Sequence, residues 1–160
     1  PNIKLILLLR NPVDRAVSWY YHKLNAGLNR DYENLEQAIA IELKKIANFS
    51  EEKIINTGYY NPDNILSSLY IYKVREWMKY FSKEQLLVLK SEDFYENTEV
   101  VMKQVFDFLE LSEHKLDKYP KVNAGSYTPI GEELRKTLAD YFQPYNQQLE
   151  DFLGMEFNWQ

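Results

Sequence analysis

LLLRNPVDRAVS, residues 7–18, passes from an apolar run through an arginine and a proline into a segment with a serine near its start. Ile3 to Leu9 is apolar except for Lys4, the pattern of a strand buried on both faces of a parallel sheet. Pro12 suits a first helical turn, where a missing N–H costs nothing, and Asp14 favours the positive end of that helix. A helix is therefore predicted from Val13 to Asn25, ending near Gly27. A buried strand followed at once by a helix is the unit from which open α/β folds are built.

The rest of the chain extends that pattern. Asn34 to Ala47 reads as an amphipathic helix, and the stretch from Phe49 to Asn64 as loop, with TGYYNPDN its clearest part. Ile65 to Tyr80 is predicted as a long aromatic helix, Gln85 to Leu89 as the second strand, and Glu99 to Leu109 as a further helix. A loop spans Ser112 to Thr128. Ile130 to Leu153 is predicted helical, kinked or broken at Pro144 and stopped by Gly154. No repeat, low-complexity tract or linker interrupts the chain, so residues 1–160 are expected to form a single domain. Two strands are few for a stable parallel sheet. Further strands are expected on the N-terminal side, as if the chain were a fragment.

Composition narrows the function. A formal charge of −5 and a pI near 5.2 do not suit broad affinity for nucleic acid, so an anion must be bound locally. With no cysteine and two histidines far apart, no metal site is expected. No apolar stretch reaches the roughly 18 residues that span a bilayer. No signal peptide precedes the run at Ile3, so a cytoplasmic location is expected unless a targeting or anchor segment lies upstream.

An arginine that follows a buried parallel strand stands at the carboxyl end of the sheet, where open α/β folds bind ligands. Its planar fork of donors matches phosphate oxygens. Ser18, eight residues on, can face the same crevice, near the helix N-terminus. The plainer alternative is that Arg10 pairs with Asp14 and Ser18 is a surface serine. Spacing alone leaves both open.

LILLLRNPVDRAVSWYYH, residues 5–22, resembles the 3'-phosphate-binding segment of sulfotransferases that use 3'-phosphoadenosine-5'-phosphosulfate (PAPS), in particular the bacterial and heparan-type branch. SSLYIYKVREWMKYFSKEQLLVLKSEDF, residues 67–94, is similar to the family's tyrosine-helix-tryptophan block with its next strand and acidic turn. VFDFLEL and residues 123–154 look like its C-terminal cofactor loop and closing helix. The resemblance implies a P-loop NTPase-like, three-layer α/β fold with a parallel sheet and flanking helices, helix-rich and incomplete at the N-terminus. It implies transfer of a sulfuryl group from PAPS to a hydroxyl or amine of a polysaccharide or small-molecule acceptor, with no metal. Arg10 and Ser18 take the 3'-phosphate roles. Gly125, Ser126 and Tyr127 fall near the same phosphate with Lys121 as a helper, although Ala124 stands where many relatives have a basic residue. Ser91 falls beside the adenine.

Other residues keep two readings. Tyr70 is either a core aromatic or a wall of the acceptor cleft, and Trp77 is packing. Glu92 and Asp93 read as caps of the next helix, and His22 and His114 as solvated. The family's phosphosulfate-binding lysine loop and catalytic base belong before the first residue here, and no Gly-rich phosphate loop occurs within the chain. This chain by itself is therefore expected to be inactive. The competing functions are a truncated, non-catalytic nucleotide-binding or interaction remnant, and a P-loop kinase relative.

Overall fold

A computed structural model describes residues 3–28, 32–60, 63–114, 119 and 129–159, with the backbone alone at 58–60. The chain forms two compact units, Pro1–Asn11 with Trp77–Gly125, and Pro12–Glu76 with Ser126–Gln160.

The first unit holds the sheet. β1 (Leu5–Leu9) and β2 (Leu86–Lys90) pair in parallel, with Leu5 opposite Leu86 and Leu9 opposite Lys90. Leu9 and Leu89 are buried, but Ile6 and Leu8 are 43% and 48% exposed, so the expected burial on both faces is incomplete among the described residues. Lys4 ties the start of β1 to the far helix of this unit, donating to the Phe108 carbonyl and to Glu110, each at 2.7 Å. The pair with Glu110 is exposed on the carboxylate side, so it contributes little to stability.

The second unit is helical. α1 (Pro12–Asn25) buries Val13, Ala16, Val17 and Tyr20, the i, i+3, i+4, i+7 stripe of an amphipathic helix. α2 (Leu35–Ile46) starts at Asn34, whose side chain accepts from the Gln37 N–H at 2.8 Å. α3 (Glu51–Tyr60) corrects the predicted loop. Its signal is weak because Ile54 alone is buried in the described part, but Ser50 and the acidic pair Glu51 and Glu52 mark a helix start.

The long aromatic helix is also corrected. A short 3-10 turn at Leu66–Ser68 precedes α4 (Tyr70–Trp77), with Leu69 between them in a non-helical conformation. In the first unit, β2 leads into α5 (Ser91–Glu96) and α6 (Thr98–Leu109), the former a helix that sequence patterning did not separate. α7 (Glu132–Leu153) runs through Pro144 without a break and stops at Gly154, whose φ of 68° is the left-handed conformation glycine adopts freely. Leu138 and Phe142 of α7 join α1, α2 and the 3-10 turn in the core of the second unit.

Candidate functional site

The backbone on either side of Arg10 is held by the residues that follow β2. Parallel pairing brings Leu9 opposite Lys90, so Ser91 and Glu92 lie at the same end of the sheet as Arg10. The Ser91 hydroxyl donates to the Leu9 carbonyl at 2.9 Å, and the Glu92 carboxylate accepts from the Asn11 N–H at 2.8 Å. Residues 9 and 11 are thus both fixed, and Arg10 leaves the strand between two anchored neighbours. Arg10 itself is half-buried.

The sequence pointed to Ser91 and Glu92 but not to these two hydrogen bonds. Ser91, predicted to lie beside the adenine, is 7% exposed and directs its proton to the strand end. Glu92 sits in the first turn of α5, as a helix cap would, and has the added duty of binding Asn11. Asp93 lies 3.7 Å from Lys90, a loose pair on one helix turn. Only the pairing of the two strands reveals the clamp, because its halves are 81 and 82 residues apart.

Ser18 belongs to the second unit, half-buried on α1 and one residue past the buried Val17. Asp14, the alternative partner offered to Arg10 by spacing, accepts from Arg135 of α7 at 2.6 Å. Trp19 and His22, one turn apart, stack with ring centroids 5.1 Å apart. Tyr70 is 8% exposed, and its ring lies 5.9 Å from that of Trp159, which stacks in turn on Phe157 at 4.2 Å. Lys73 of α4 is pressed below the ordinary lysine range, first by burial and then by the Arg15 charge. Lys121, Gly125, Ser126 and Tyr127 lie outside the described residues.

Each donor by itself is of a kind that suits a phosphate: the Arg10 guanidinium of the first unit and the Ser18 hydroxyl of the second. Among the described residues no group of three or more His, Asp or Glu side chains is placed to hold a metal ion, and no helix is long and apolar enough to cross a membrane.

Residues 1–123 match the family model described as the sulfotransferase domain. Carbohydrate sulfotransferase 15 of Homo sapiens is 28% identical over 99% of this chain, which spans 31% of that protein. Bifunctional heparan sulfate N-deacetylase/N-sulfotransferase 4 of Mus musculus is 24% identical over 96% of the chain, which spans 19% of it. Among solved structures, the sulfotransferase from Alicyclobacillus acidocaldarius superposes with a TM-score of 0.70 at 26% identity, covering 96% of this chain and 56% of that one. The chain thus spans about a third or less of the curated relatives named here and just over half of the bacterial structure.

Proposed function

Because the chain belongs to the sulfotransferase domain family, we propose that it carries the 3'-phosphate-binding part of an enzyme that sulfates a carbohydrate at a hydroxyl or amine. When bound, PAPS supplies the activated sulfuryl group and departs as adenosine 3',5'-bisphosphate. The names of the relatives, which act on carbohydrate and on heparan sulfate, favour a polysaccharide acceptor over a small alcohol.

The observation that carries this reading is the clamp around Arg10. Two hydrogen bonds fix the backbone at Leu9 and Asn11, so the guanidinium starts from a defined point at the end of the sheet. A preorganised donor loses less freedom when it binds, which favours phosphate recognition by a single arginine in a chain of net charge −5. The family resemblance assigns the same phosphate a neutral hydroxyl donor, Ser18 of α1. Both residues hold the nucleotide at a distance from the reacting sulfur, so their contribution to rate is through orientation. In-line transfer also requires a group that stabilises charge on the departing phosphate oxygen. In the family resemblance that role falls to a lysine loop, and no Gly-rich phosphate loop occurs among these 160 residues.

Calorimetry with adenosine 3',5'-bisphosphate tests the reading. Arg10→Ala is expected to weaken binding by roughly 2–5 kcal/mol, the cost of removing one partner of a desolvated charge pair. Affinity unchanged by that substitution would remove the basis of the assignment. Transfer of radiolabelled sulfate from PAPS to heparan-type and chondroitin-type polysaccharides, compared with small alcohols, then distinguishes the acceptors.

A further inference from the structure

In the second unit a chain of buried polar groups ends on the turn of α1 that carries Ser18. Glu42 of α2 is 2% exposed, yet both its carboxylate oxygens are engaged. Oε1 accepts from Asn64 Nδ2 at 2.7 Å, and Oε2 accepts from the Ile65 N–H at 3.0 Å. The Asn64 carbonyl accepts from the Ser68 hydroxyl at 3.1 Å, and Ser68 Oγ accepts from Arg15 Nη1 at 3.2 Å. Arg15 stands three residues before Ser18 in α1, so the two lie one turn apart on the same side of the helix.

A buried carboxylate is expensive, and an apolar side chain of similar size would serve the core at least as well. The charged groups that face Glu42 do not remove that cost. Asp63, before the 3-10 turn, repels it while paired with Lys45 at 3.0 Å, and Lys23 near the end of α1 attracts it. Burial is the largest influence, and it holds the Glu42 carboxyl above the usual carboxylate range. What the ionised form provides is two acceptors for two N–H donors; protonation turns one acceptor into a donor.

We propose that Glu42 is a positioning residue for nucleotide binding: its carboxylate fixes residues 64–68, and these hold Arg15 and with it the Ser18 turn of α1. The inference rests on the reading of Ser18 as a phosphate ligand. It has a consequence that an ordinary structural role lacks, because stability and binding respond to pH in opposite senses. With the folded pKa raised above the unfolded one, the stability contributed by this group is complete below the unfolded pKa and is lost as pH rises through the folded pKa. The positioning, by contrast, needs the ionised form and is gained as pH rises through that folded pKa.

Glu42→Gln separates the two effects. The amide removes the buried charge, and Asn64 can turn its Oδ1, which has no partner among the described residues, toward the new NH2. Thermal unfolding at pH 7 is expected to show stability equal to or above that of the parent. Calorimetry is expected to show affinity for adenosine 3',5'-bisphosphate about three- to tenfold weaker, because two charge-assisted hydrogen bonds to residues 64 and 65 become weaker neutral ones. Ser68→Ala, a milder change, is expected to weaken binding to a similar degree, and Arg15→Lys to retain part of it. As pH rises through the folded pKa of Glu42, the ratio of parent to Glu42→Gln affinity should rise; titration of the nucleotide's own phosphate cancels in that ratio.

Affinities of Glu42→Gln and Ser68→Ala within twofold of the parent, with Ser18→Ala more than tenfold weaker, would overturn the positioning role and leave the nucleotide reading standing. Stability and affinity falling together in Glu42→Gln would also overturn it, as the mark of a purely structural residue. An unchanged affinity in Ser18→Ala would overturn the phosphate reading and this inference with it.

Discussion

At the scale of single residues, the proposed phosphate recognition rests on one arginine and the two side chains that fix its backbone. Ser91 is the most direct to probe. Its hydroxyl is buried and donates to the last carbonyl of β1 at 2.9 Å. Ser91→Ala leaves that carbonyl short of its donor, so urea denaturation is expected to show a loss of about 1–3 kcal/mol. The same variant should bind adenosine 3',5'-bisphosphate less tightly than the parent, because Arg10 then starts from a looser strand end. A loss of stability with full affinity would show that the clamp supports the sheet without serving the ligand. Residues of this kind are only half legible in sequence. Arg10 announces itself, since a charged fork directly after an apolar run is conspicuous. Ser91 and Glu92 look like any helix start, and nothing near them in the chain points to Leu9 or Asn11.

At the scale of elements, periodicity served well where a helix buries a regular stripe and poorly where it does not. α1 buries positions at i, i+3, i+4 and i+7, and its predicted bounds differ from the observed Pro12–Asn25 by one residue. α3 buries Ile54 alone among its described side chains, so polar residues and turn formers hid it. Of the kink or break expected at Pro144, the break is absent because packing overrides local preference: Leu138 and Phe142 before the proline, and Leu149 and Leu153 after it, are all buried. Gln148 caps the Pro144 carbonyl at 3.2 Å. The proline still lacks an N–H and crowds the preceding turn. Pro144→Ala is therefore expected to stabilise the protein by up to about 3 kcal/mol, read as a higher Tm. An unchanged or lower Tm would mean that the proline packs better than any replacement.

At the scale of the molecule, the described residues give one unit with a two-stranded parallel sheet and one helical unit, whose core is drawn from α1, α2, α3, α7 and the 3-10 turn. A ligand that binds the folded chain and not the unfolded one shifts the folding equilibrium by mass action. Adenosine 3',5'-bisphosphate at a hundred times its Kd is expected to add about 2.7 kcal/mol, which for a chain of 160 residues raises Tm by about 5–10 °C. Adenosine 5'-monophosphate, which lacks the 3'-phosphate, should raise it much less; equal shifts would argue against recognition of that group. The sequence by itself determined the strand-arginine-helix order, the amphipathic face of α1 and the stop at Gly154. Each of these follows from neighbours within a few residues, through side-chain periodicity and backbone freedom. Only the tertiary structure decided that Ser91 and Glu92 bracket Arg10 and that Glu42 holds residues 64 and 65. Those hydrogen bonds join groups 22 to 82 residues apart, and no local pattern records which distant donor a carboxylate or carbonyl will meet.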